Sequence, residues 1–150
     1  MGFTIFLVAI ILLFLFTGFF TVKQQTAAIV ERFGRFKRIA KAGLNFKIPI
    51  IDKVAGRISL RVQQLDVRVE TKTKDNVFVN VIVSVQYFVI PEKVVDAFYK
   101  LQNAEAQITS YVYDVVRARV PNIILDDVFE TKDDIAQAVK LELEQIMDDF

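Results

Sequence analysis

Cysteine, histidine and tryptophan are all missing from this sequence. Without cysteine there is no disulfide staple and no thiolate chemistry. Without histidine the chain lacks the usual general base and the commonest metal ligand. Its only serines are Ser59, Ser84 and Ser110, with no imidazole to activate them. No phosphate-cradling G-x-x-x-x-G-K run, no H-E-x-x-H and no G-x-S-x-G elbow occurs. These absences exclude the common hydrolase and nucleotide-binding chemistries from the 150 residues present. No catalytic, cofactor-binding or metal-ligating set is expected, and the chain does not read as an enzyme.

Charge is missing from the first 22 residues, Met1 to Val22. That length matches the roughly 20 apolar residues that cross a hydrocarbon core, and backbone groups in lipid must bond internally, as a helix does. We therefore expect a transmembrane helix over residues 1–22, with Phe3, Ile5, Leu7, Ile11, Leu13, Leu15, Phe19 and Val22 spanning the bilayer. A cleaved leader would carry a basic start and a small-residue cleavage site, and neither is present. Gly2 is not a myristoylation signal, because Phe6 stands where Ser or Thr is needed. The remaining residues, 23–150, form the body.

The net charge of +1 hides a division. Lys23 to Lys74 holds 13 basic and 4 acidic side chains, a net of +9, while Asp75 to Phe150 holds 6 and 14, a net of −8. Lys23, Arg32, Arg35, Lys37, Arg38 and Lys41 follow the apolar segment closely and are read as a membrane-surface set facing anionic headgroups. The same excess predicts the body on the cytoplasmic side of the cell (inner) membrane, single-pass. Phe33, Phe36, Ile39, Leu44, Phe46, Ile48 and Ile51 interleave with these cations. Burial in the core is expected for most of them. A membrane-tethered basic segment is not a nucleic-acid site.

Periodicity divides the body into strands followed by helices. A strand is expected over Thr26–Phe33, closed at Gly34, and a short edge segment around Pro49. Alternation over Arg57–Thr73 and again from Val77 to Val89, across a Lys74-Asp75-Asn76 turn, predicts a hairpin. Pro91 suits a first helical turn. Asn103 caps a second helix, ended by Pro121. A last helix opens at Thr131-x-x-Asp134, read as a capping box. Its Ile135, Val139, Leu143, Ile146 and Phe150 form a near-heptad seam, so a coiled coil is expected to continue beyond residue 150. Segregated strands and helices give an α+β class. Asp126, Asp127 and Glu130, near Asp133 and Asp134, make an acidic surface. Arg117 and Arg119 are its candidate mates in a subunit contact.

Several stretches resemble the SPFH (band 7) family of stomatins, prohibitins and flotillins. They are Val30-Glu-Arg-Phe-Gly-Arg-Phe36, Ala42-Gly-Leu-Asn-Phe-Lys-Ile-Pro-Ile-Ile-Asp52, Arg61-Val-Gln-Gln-Leu-Asp-Val67, Glu70-Thr-Lys-Thr-Lys-Asp-Asn-Val77, Tyr111-Val-Tyr-Asp-Val-Val-Arg-Ala118 and Leu125-Asp-Asp-Val-Phe-Glu130. Residues 61–147 are most similar to the hypersensitive-induced-response branch and its bacterial counterparts. The resemblance implies a non-enzymatic membrane scaffold that assembles into homo-oligomeric rings or cages, organises lipid microdomains, and holds or regulates other membrane proteins. It uses no metal or cofactor. A dedicated adaptor of an AAA-type membrane protease is one alternative; a hydrolase with its catalytic part beyond residue 150 is another.

Overall fold

The computed structural model describes all of residues 1–150, which divide into two compact units. The first comprises Met1–Arg61 with Val89–Val95, and the second Val62–Phe88 with Asp96–Phe150.

The first unit opens with helix α1 (Gly2–Gly18), apolar on every side and exposed along its length except at Gly18. Its 17 residues rise about 25 Å, against roughly 30 Å of hydrocarbon. No helix is long and apolar enough to cross a membrane. This corrects the expected span over residues 1–22. The helix stops at Gly18 because Phe19–Val22 is taken up as strand β1, antiparallel to β4 (Gly43–Phe46), with Phe19 opposite Phe46 and Val22 opposite Gly43. Val22, expected in lipid, is a buried core residue. Only glycine fits at position 18: a Cβ there would stand 2.4 Å from Phe46 Cε2 and 2.9 Å from the Lys47 carbonyl.

A second sheet in this unit has the order β3 (Arg35–Ala40), β2 (Thr26–Arg32), β5 (Asp52–Ser59), all antiparallel. Register shifts after Ile29 and Val30 make bulges in β5 and β3, which sharpen the local twist. Val22, Ala28, Val30 and Ala40 are buried together, with Phe20 and Val54 against them. The core is small because its residues are small.

The second unit is built on a ribbon of two ten-residue strands, β6 (Gln63–Lys72) and β7 (Phe78–Tyr87). Its inner face carries Val67 and Val69, with Leu65, Val79, Val81, Val83, Val85 and Tyr87 partly buried. These pack on Ile108, Val112 and Val116 of α3 (Ala104–Arg119) and on Ile135 and Val139 of α5 (Lys132–Met147). Asn103 caps α3 as expected, its side chain accepting from the Ala106 N–H at 3.0 Å. Pro91 opens a short 3-10 turn leading into α2 (Val94–Tyr99), and Pro121 sits in another that ends α3.

The helices depart from expectation at two places. Residues 125–130 form a further short helix, α4, between the two expected helices. Thr131 forms no capping box: its hydroxyl donates back to the Asp127 carbonyl at 2.8 Å. Of the α5 seam, Ile135 and Val139 are buried in this unit and Leu143 packs against the same core.

Candidate membrane-facing site

The strands of the first unit decide which of its cations are available. Asp52 opens β5 directly opposite Arg32, the last residue of β2. Its buried carboxylate accepts from Arg32 Nε at 2.8 Å and Nη2 at 3.3 Å, from Lys37 Nζ at 3.2 Å and from the Ile48 N–H at 3.1 Å. Lys37 reaches it from β3, as the extra residue of the bulge that sets Phe36 opposite Glu31 and Arg38 opposite Val30. The Arg32 guanidinium, chiefly, holds the Asp52 carboxyl well below the usual carboxylate range. Arg32 and Lys37 are thus committed to a structural cluster. Arg38 is committed too: Nη1 donates to Asn45 Oδ1 at 3.4 Å and Nη2 to the Phe46 carbonyl, joining β3 to β4.

Register places the rest of the set. Arg35 pairs with Arg32 across the two-residue turn Phe33-Gly34 and is exposed. Lys23 follows Val22 and Lys41 follows Ala40, so both lie at the end of β1 and β4 remote from Gly18. The six cations do not form one face. Arg32, Arg35 and Lys37 gather at one end of the sheet and Lys23 and Lys41 stand elsewhere. Two lysines that sequence reasoning did not select, Lys47 and Lys53, flank the Asp52 turn. The signal for them was Asp52 itself, one of only two acids between Lys23 and Lys53. An acid amid so many cations is a natural centre for an ion-pair cluster.

The interleaved apolar residues are corrected as well. None of Phe33, Phe36, Ile39, Leu44, Phe46, Ile48 and Ile51 is buried. Phe33, Phe36, Leu44 and Phe46 are exposed, and so is Ile50. An open hollow at the β2–β3 tip is lined by Arg32, Phe33, Arg35, Phe36 and Lys37. Strands this short, around a core of alanines and valines, cannot cover so many large side chains.

The proposed subunit-contact residues lie in the second unit. Arg117, Arg119, Asp126, Asp127 and Glu130 are all exposed. The Arg117 guanidinium lies over the Tyr113 ring at 5.0 Å. Arg119 lines a shallow hollow with Asn122, Ile123, Thr131 and Asp134. The carboxylates do not converge into a ligand set for a metal.

Comparison with known proteins agrees with this architecture. The chain is 49% identical over 127 residues to Hypersensitive-induced response protein 4 of Arabidopsis thaliana, covering 84% of this chain and 44% of that protein. It is 31% identical over 128 residues to human Stomatin-like protein 2, mitochondrial, covering 85% and 35%. It is 27% identical over 153 residues to Protein HflK of Vibrio cholerae serotype O1, covering 99% and 38%. The chain spans less than half the length of the curated relatives it matches. The SPFH domain / Band 7 family pattern matches residues 20–150, from the first strand through the last helix, and the chain belongs to that family.

Proposed function

We propose that this chain is the membrane-facing part of an oligomeric scaffold that organises membrane microdomains and holds or regulates other membrane proteins. The observation that carries the reading is α1: a helix apolar on every side and exposed throughout has no stable place in water, and a bilayer is the solvent that covers it. The helix buries itself in the hydrocarbon layer without crossing it, and the body stays on the side where basic residues are retained, the cytoplasmic face of the inner membrane. Arg35, with Lys47 and Lys53 outside the expected set, meets headgroups, and Lys23 and Lys41 do not. Assembly with further copies rests on family membership and on the exposed charges of opposite sign, Arg117 and Arg119 against Asp126, Asp127 and Glu130. No catalytic role is assigned.

Flotation of the full chain with vesicles tests the reading. On vesicles rich in anionic lipid, Arg35→Ala weakens association by about 1 kcal/mol at low salt, while Lys41→Ala leaves it unchanged. Equal effects of the two substitutions would refute the assigned orientation. Failure of the wild-type chain to float would refute membrane attachment. Chemical cross-linking in the same vesicles tests assembly, where a strict monomer refutes the scaffold.

A second reading, a dedicated regulatory adaptor of an AAA-type membrane protease, draws on the alignment with Protein HflK over 99% of this chain. Pull-down from membranes separates the two: an adaptor recovers one partner stoichiometrically.

A further inference from the structure

Four residues other than glycine adopt positive φ: Gln25 at 55°, Phe33 at 49°, Ile50 at 76° and Asn76 at 63°. Asparagine tolerates that region, but for a bulky or β-branched side chain it is a strained outlier. Phe33 and Ile50 are also among the most exposed apolar residues of the body, at 81% and 93%. Phe33 occupies the first position of a two-residue turn whose second is Gly34 at φ 77°, where asparagine is the preferred residue. Neither side chain gains anything from the fold, and each strains it. Such strain marks a functional position.

The two turns lie at the same end of the sheet. Phe33 follows Arg32, Ile50 precedes Asp52 by two positions, and Arg32 and Asp52 are cross-strand partners. That end adjoins the base of α1. The Lys47 N–H donates to the Gly18 carbonyl at 2.8 Å, and its neighbour Ile48 bonds Asp52 through both backbone groups. Direct contacts therefore run from the last residue of α1 to Asp52 and on to Arg32. Phe19 and Phe46, in edge contact at 5.3 Å, continue the exposed apolar surface at the helix base. Arg35 and Lys37 line one hollow with Phe33, and Lys47 and Lys53 stand three residues to either side of Ile50 in the chain. The strained residue at the opposite end of β2, Gln25, is polar.

We propose that Phe33 and Ile50 are insertion points that enter the interfacial layer of the bilayer holding α1, with Asp52 as the positioning residue that fixes both turns. Apolar tips in a ring of cations suit the boundary between acyl chains and anionic headgroups. A bilayer is the occupant because this surface is continuous with α1, which has no other cover. The inference rests on the reading that α1 lies in a membrane and adds a second grip by the body itself.

The absence of tryptophan makes the test clean. Full-length chains carrying Phe33→Trp, Ile50→Trp, Phe16→Trp or Gln25→Trp are reconstituted in vesicles with and without brominated acyl chains. Phe16→Trp reports α1 and Gln25→Trp the remote turn. Blue-shifted emission quenched by bromolipid is expected for the first three and not for Gln25→Trp. Quenching of Phe16→Trp alone would overturn the insertion points and leave the anchor standing. Quenching of none would overturn both. A blue shift at positions 33 and 50 that rises with protein density and ignores bromolipid would assign the surface to a second copy of the chain. Relief of strain supplies an independent arm. Phe33→Asn and Ile50→Asn should raise the unfolding midpoint, and in either background the remaining tryptophan probe should lose at least half of its quenching. Full retention of quenching at the other turn would show that the turns do not act together.

Discussion

Asp52 shows how one side chain can organise a surface. Four donors converge on its carboxylate from β2, β3 and the turn before β5. Its folded-state pKa lies below that of an unfolded chain, chiefly through Arg32. The stabilisation is therefore fully present above the ordinary carboxyl pKa, near 3.9, and is lost as pH falls below it. Thermal unfolding of the first unit, followed through amide exchange in β2 and β5, should lose midpoint below about pH 4. Asp52→Asn should lower that midpoint at neutral pH and remove the acid dependence. An unchanged profile in the variant would show that other carboxylates govern it. Gly18 is a second single-residue control point. Gly18→Ala must displace the Lys47 carbonyl as well as the Phe46 ring, and overpacking of this kind destabilises by roughly 1–3 kcal/mol. Chemical denaturation of the detergent-solubilised chain measures it.

At the scale of elements, legibility followed length and period. β7 alternates over ten residues, so its inner valines could be assigned from the sequence alone. α3 was readable because Asn103 caps it and apolar residues recur at helical spacing. Asn103→Ala should destabilise the second unit by about 1 kcal/mol, and Ile108→Ala, which empties a buried site, by about 2–5 kcal/mol. Urea unfolding monitored by circular dichroism checks both. α4 was not readable. Its six residues are too short for a period, its own preceding residue makes no side-chain cap, and its cap arrives from elsewhere: Asp75 Oδ1 accepts from the Leu125 N–H at 3.3 Å. The turn that carries Asp75 also bonds the Ile123 carbonyl through the Lys74 N–H. Asp75→Ala should raise hydrogen exchange over residues 125–130 while leaving α3 protected. Equal exchange in the two chains would show that α4 stands without this contact.

Across the whole molecule, the charge division and the order of apolar segment, strands and helices are legible in the sequence. Period-2 and helical patterns are local properties, set by which side chains can bury on one face, and a single sequence displays them. So is the apolar character of the first eighteen residues, since composition alone decides which solvent a helix prefers. The choices that only tertiary structure makes are choices of partner. Phe19–Val22 is apolar enough for lipid, yet it pairs with β4 and ends α1 at Gly18, because strand hydrogen bonds to Gly43–Phe46 are available there. Six cations close together in sequence are divided by strand reversal, so that Lys23 and Lys41 stand away from the α1 base while Arg32 and Lys37 are consumed by Asp52. Sequence proximity puts cations within reach of a membrane surface. Which of them face it depends on the direction each strand runs and on the acids each cation meets, and both are non-local.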